Sequence, residues 1–117
     1  MEKVKAGRKV RNIVTKVINN LIEYFDVREV ILFGSQLSGT AHRYSDIDLA
    51  VISPDFNKGN FEKFIRIFAN IALKCNSTEV EIHPYTPKER REARPTNFLG
   101  FILKHGKSIY RNGKLYL

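Results

Sequence analysis

The sequence predicts an α/β (α+β) fold, a small mixed β-sheet covered by helices, and three features carry that expectation. Two stretches, residues 10–25 and 60–74, repeat apolar residues with helical spacing. Short apolar strands bounded by turn residues lie between and after them. Near the end, Asn112-Gly113 sits between two apolar runs, the signature of a tight hairpin. At 117 residues the chain is expected to form one domain, 1–117, with a core that needs no disulfide or structural metal.

Each element follows from its own pattern. Val10, Ile13, Val14, Val17, Ile18, Leu21, Ile22 and Phe25 form one helical stripe whose opposite face is basic and polar. Val30 to Phe33, between Asp26 and Gly34-Ser35, reads as a short buried strand. SDIDLAVIS, residues 45–53, alternates along a second strand, so Asp46, Asp48 and Ala50 share one face and Pro54 closes it. The second helix carries Phe61, Phe64, Ile65, Phe68 and Ala72 on one stripe, with a cap at Asn57 or Asn60. Ile67, Ile71 and Leu73 widen that stripe and imply cover on more than one side. TEVEIHPY, residues 78–85, is a third strand ended by Pro84. Residues 86–96 read as a charged connection bounded by prolines. NFLGFILKHG is a short helix stopped by Gly106, and SIYRNGKLYL a hairpin.

Composition excludes several classes. No stretch approaches the ~18 apolar residues of a membrane span, and no apolar core of a secretory signal follows the basic start. The single Cys75 can form neither an internal disulfide nor a cysteine-rich zinc site, which fits a cytoplasmic protein. A formal charge of +8 attracts polyanions, nucleotides and acidic partners alike. Basic residues gather near the N-terminus and in KERREAR, residues 88–94. No nucleic-acid-binding signature accompanies them, so nucleic acid is a less favoured partner.

The chemistry is concentrated in GSQLSGTAHRYSDIDLAVIS, residues 34–53. Two carboxylates at i and i+2 on a strand, Asp46 and Asp48, converge on one centre and repel unless a cation sits between them. Hard divalent ions such as Mg²⁺ prefer carboxylate oxygen, so the pair predicts a metal site, and two ions would serve an attacking hydroxyl and a leaving pyrophosphate together. A third acid would complete the set. Glu81 is the candidate, and Glu79 has the same parity. Gly34 lets the backbone approach a phosphate, and the Ser35 hydroxyl donates to it, so one end of the motif suits a triphosphate and the other its metals.

This spacing, Gly34-Ser35, ten residues, then Asp46-Ile47-Asp48, resembles the signature of the DNA polymerase beta-like nucleotidyltransferase superfamily. Gly39 and Ser45-Asp46-Ile47-Asp48-Leu49 are similar to its minimal, single-domain members, as are the Val-Glu-Ile-His-Pro-Tyr strand and the Lys-His-Gly-Lys-Ser-Ile-Tyr ending. The resemblance implies a nucleotidyltransferase fold. Residue by residue, it implies that Gly34 and Ser35 bind nucleotide phosphate, and that Asp46, Asp48 and Glu81 are the metal ligands and catalytic acids. Two departures stand out: Gln36 replaces the Arg or Trp often found there, with Arg43 the nearby substitute, and the third acid is Glu rather than Asp. The minimal members resemble antitoxins that act with a small helical HEPN-type protein, sometimes by transferring AMP to it. The expected function is therefore Mg²⁺-dependent transfer of a nucleoside monophosphate, AMP from ATP, to a hydroxyl acceptor on a partner protein. The rival is a module that neutralises such a partner by binding alone, and transfer to RNA or a small aminoglycoside-like molecule is a weaker third.

Other residues are less telling. His83 shares the side of Glu79 and Glu81 and can line the pocket, although a hydrogen-bonding strand-end histidine is the more ordinary role. His42, His105 and Tyr44 offer less. Phe61, Phe64 and Phe68 have the spacing of core residues rather than of a stacking platform.

Overall fold

The computed structural model describes residues 7–34, 47–57, 59, 61–77 and 79–117. The elements are α1 (Arg8–Tyr24), β1 (Glu29–Phe33), β2 (Ile47–Ile52), a 3₁₀ turn (Pro54–Phe56), α2 (Phe61–Lys74), β3 (Val80–Tyr85), α3 (Pro87–Arg91), α4 (Phe98–His105), β4 (Lys107–Arg111) and β5 (Lys114–Leu115). The five strands form one mixed sheet in the order β3-β2-β1-β4-β5. β3 runs parallel to β2, joined to it through α2, and every other pairing is antiparallel. The architecture is the α/β sheet-and-helix arrangement expected.

One face of the sheet is covered by α1 and α2. Val14, Val17, Ile18 and Leu21 of α1 meet Leu32, Leu49, Val51 and Ile109 in a core that also takes Phe64 and Ile71 from α2. Phe25, Phe56, Phe64 and Phe68 add a knot of rings with centroids 4.9–5.9 Å apart. The helical stripe of α1 is buried at Val14, Val17, Ile18 and Leu21 and half-buried at Val10 and Ile13, and Ile22 departs from it at 44% exposed. On α2 the expectation of cover on several sides fails within the chain. Phe64 and Ile71 are buried, but Phe61, Ile65 and Leu73 remain exposed.

The other face carries α4, whose Leu99 and Ile102 pack on Ile31, Phe33 and Ala50. The stretch 86–96, expected as a connection, contains the short helix α3. Its start is a capping box: the Thr86 hydroxyl accepts from the Glu89 N–H, and the Glu89 carboxylate accepts from the Thr86 N–H, with Pro87 in the first turn. Arg90 then ties α3 to the sheet through Glu29 at 3.0 Å, and Ser108 donates to the same carboxylate at 2.8 Å.

α4 is seated by a close backbone approach. Its N-cap Asn97 accepts from the Gly100 N–H at 2.8 Å, and a Cβ on Gly100 would stand 1.7 Å from the Arg94 carbonyl oxygen. Backbone cannot yield as a side-chain tip would. Gly100→Ala is expected to lower Tm by roughly 5–15 °C, the consequence of ~1–3 kcal/mol of overpacking. Gly7→Ala, with nothing within 4 Å, should leave the melt unchanged.

The outer edge of the sheet explains Pro84. The Ile47 N–H donates to Glu79 and the Ser53 N–H to Tyr85, so the odd-numbered residues of β3 turn their backbone groups toward β2. Pro84 faces outward, where its missing N–H removes no ladder bond. At the opposite end of the sheet, Asn112 (φ 53°) and Gly113 (φ 76°) form the tight hairpin turn that the sequence predicts.

Cys75 is 7% exposed, and burial raises its thiol pKa against the opposing pull of Lys16 and Lys74. A raised folded value means its contribution is complete below the unfolded pKa of about 8.5 and is lost as pH climbs through the folded one. The native chain should therefore resist DTNB at pH 8 and react on unfolding, and it should lose stability in alkali.

Candidate active site

The site forms where β1 ends and β2 and β3 begin. Asp48 stands opposite Phe33 on one side and Glu81 on the other, all three on the face that carries α4. The strand gives each side chain its direction, because the apolar residues between them, Ile47, Leu49 and Ile82, point into the opposite core. Asp48 and His83 side chains are each 23% exposed, whereas that of Glu81 is 60% exposed at the sheet edge.

The three groups converge. His83 Nε2 lies 3.4 Å from Asp48 Oδ1 and 3.9 Å from Glu81 Oε1, and one ligand atom of each lies within 4.8 Å of the others. Among the described residues this is the group whose atoms could surround a metal ion. Neighbouring ligands bound at about 2.1 Å from one octahedral ion stand roughly 3 Å apart, so small side-chain rotations would bring these donors to that geometry. Two carboxylates suit a hard divalent cation, and the imidazole adds a donor that also suits softer ones.

Gly34 frames the other side of Asp48. It adopts φ +88°, open to glycine and costly for other residues, and a Cβ there would stand 2.6 Å from Asp48 Oδ2. The carboxylate is therefore held between bare backbone on one side and an imidazole on the other.

Ser35 and Asp46, expected in the phosphate cradle and the metal pair, lie outside the described residues, as do Gln36, Gly39, His42, Arg43 and Tyr44. Of the two acids that share parity, Glu81 is the one beside Asp48. Glu79 precedes β3, and its carboxylate reaches Lys9 at 3.4 Å.

The sequence favours an ordinary strand-end role for His83, and the structure puts it in the middle of the cluster. Its ring also packs 5.1 Å from Phe33 and 6.0 Å from Phe98, so an aromatic row begins at the acids and runs onto α4. The signal available in the sequence was parity, because 81 and 83 alternate with the buried face. Phe33 and Phe98 come from separate segments that no local pattern joins.

Comparisons with known proteins agree with this fold. Residues 14–109 match a family model described as a nucleotidyltransferase domain. Over 69 residues the chain is 33% identical to the candidate protein adenylyltransferase MJ1305 of Methanocaldococcus jannaschii, an alignment covering 50% of this chain and 46% of that protein. The chain thus matches about half the length of that curated relative. Among solved structures, a candidate nucleotidyltransferase from Sulfolobus solfataricus superposes with TM-score 0.68 at 14% identity, over 93% of this chain and 86% of that one. A toxin–antitoxin complex with AMP-PNP gives TM-score 0.60 at 25% identity, over 84% and 73%. The toxin–antitoxin pair MntA–HepT gives 0.55 at 20%, over 87% and 72%.

Proposed function

The chain belongs to the nucleotidyltransferase domain family, and from that premise we propose that it transfers AMP from ATP to a hydroxyl group of a partner protein. The single observation that supports this most is the meeting of Asp48 and Glu81, from adjacent parallel strands, beside the left-handed turn at Gly34. The name of the adenylyltransferase relative and the AMP-PNP in the toxin–antitoxin neighbour favour adenylate and a protein acceptor.

In the reaction, the acceptor oxygen bonds to the α-phosphorus while the α–β anhydride bond breaks and pyrophosphate leaves. Asp48 and Glu81, with Asp46, would hold Mg²⁺, two ions in this family's chemistry. Those ions supply charge neutralisation for the polyphosphate. Gly34 and Ser35 hold phosphate oxygens through backbone and hydroxyl donors. Glu81, the most open of the three described donors, accepts the proton of the attacking hydroxyl. His83 keeps the Asp48 carboxylate turned toward the pocket.

The partner we propose is a small helical protein of the HEPN type. The decisive experiment gives the chain and the protein encoded beside it ATP labelled either at the α- or at the γ-phosphate, with Mg²⁺. Label should pass to the partner from the α position alone. Transfer from the γ position would make the chain a kinase and overturn the reading.

A second reading draws support from α2, where Phe61, Ile65 and Leu73 are 63, 49 and 74% exposed. Such a face suits a protein contact, and the chain could then neutralise a partner by binding alone. Inhibition that needs no ATP and survives Asp48→Asn would favour it.

A further inference from the structure

We propose that the cavity between β3, α3 and α4 is the nucleobase subsite, that Phe98 is its stacking surface, and that it favours adenine over uracil. The inference rests on the nucleotidyl-transfer reading and adds the means of base selection to it.

The cavity, of about 300 Å³, is lined by Tyr85, Glu89, Glu92, Asn97, Phe98 and Leu99. Its wall residue Phe98 meets His83 of the acid cluster, with ring centroids 6.0 Å apart. Glu81, His83 and Tyr85 follow one another on the same face of β3, so the acid and the cavity wall are about 13 Å apart along the strand. The α-phosphate sits with the acids in the transfer reaction, so a base one ribose away reaches the middle of this path, with the far wall left for the outer edge of a purine. Phe98 lies over the middle of this path, 6.0 Å from the His83 ring and edge-on to Phe33 at 5.9 Å.

Phe98 is 53% exposed, and Phe101 stacks parallel to it at an 8° tilt with 52% exposed. Their neighbours Leu99 and Ile102 supply the burial that seats α4. Half-open, flat rings next to a phosphate-handling site are what base stacking uses, and stacking tolerates any base but strengthens with ring area. Purines are therefore favoured.

Charge sets the direction. Glu89 and Glu92 repel a polyphosphate, so the anionic end of a nucleotide stays with the metals and the neutral base takes the cavity. Glu89 is held by Thr86 at 2.9 Å, which orders that wall. Carboxylates accept hydrogen bonds and donate none, which suits the exocyclic amino group of adenine and not the carbonyl edge of uracil.

The test measures binding to the full chain with Mg²⁺ by calorimetry, using inorganic tripolyphosphate and the α,β-methylene analogues of ATP and UTP, which cannot undergo the transfer. Phe98→Leu keeps an apolar group against Phe33 and removes the flat face, whereas Phe98→Tyr keeps the ring. The parent chain should bind the ATP analogue at least fivefold more tightly than the UTP analogue. Phe98→Leu should weaken the ATP analogue about tenfold, with tripolyphosphate within twofold of the parent and Phe98→Tyr close to it. Equal losses for analogue and tripolyphosphate, or no loss for either, overturn the subsite and leave the transfer reading standing. A parent chain that binds neither ligand overturns both. Independently of any variant, saturation transfer from aromatic ring protons should reach the adenine protons of the bound analogue, and its absence overturns the subsite.

Discussion

Asp48→Asn should abolish nucleotidyl transfer, with a loss on the order of 10³-fold or more, and leave the fold intact. The amide has the shape of the carboxylate, so the packing against Phe33 and the β2–β3 register are undisturbed. What disappears is the charge. Asp48 and Glu81 stand side by side with the His83 ring 3.4 Å and 3.9 Å from their oxygens. The amide keeps an oxygen for that ring, so the melting temperature of the variant should stay within a few degrees of that of the parent. Mg²⁺ should raise the melting temperature of the parent chain and not of the variant, because only a ligand bound to the folded state shifts the equilibrium. The combination of lost transfer, little-changed stability and a lost Mg²⁺ response distinguishes a catalytic acid from a structural one. A variant that melts far lower would show that Asp48 holds the fold.

Gly34→Ala should cost transfer at least about 10²-fold at temperatures where the chain remains folded. Two effects add at this position. The left-handed φ of +88° strains any side-chain-bearing residue by about 1–2 kcal/mol. The methyl group would also stand 2.6 Å from Asp48 Oδ2 and push the carboxylate out of line with Glu81 and His83. Gly113→Ala separates the two. Its φ is +76° and nothing lies within 4 Å of an added Cβ, so it carries the strain without the collision. Both variants should lose stability, measured by urea denaturation, and only Gly34→Ala should lose transfer. Equal activities would remove the carboxylate collision from the account.

The sequence made some of this readable and concealed the rest for physical reasons. The apolar stripe of α1 and the Asn112-Gly113 hairpin rest on local periodicity and turn chemistry, and both appear where expected. Helix α3 is hidden in the sequence because KERREAR has the composition of a solvated loop. The local device that makes it a helix, Thr86-Pro87 followed by Glu89, was nonetheless present. On α2, apolar spacing located the helix but could not say how much of its stripe the chain itself would cover, so Phe61 and Ile65 were expected inside and are exposed. Strand parity made Glu81 and Glu79 equally readable as the third acid, and only the β2–β3 register, which sets Asp48 against Glu81, chooses between them. The row from His83 through Phe33 to Phe98 was not readable, since three distant segments create it only after the sheet is assembled.

The strand order has a consequence for how the protein is made. β1 is the central strand, and one of its two neighbours is β4, whose residues are 107–111. As the chain leaves the ribosome, β1 therefore waits with one edge open until residues 107–111 have been synthesised. α1, β1 and β2 can gather early, but the Leu32–Lys107 pairing closes a loop of more than seventy residues. Folding should thus be governed by that late, distant closure rather than by a stable N-terminal fragment.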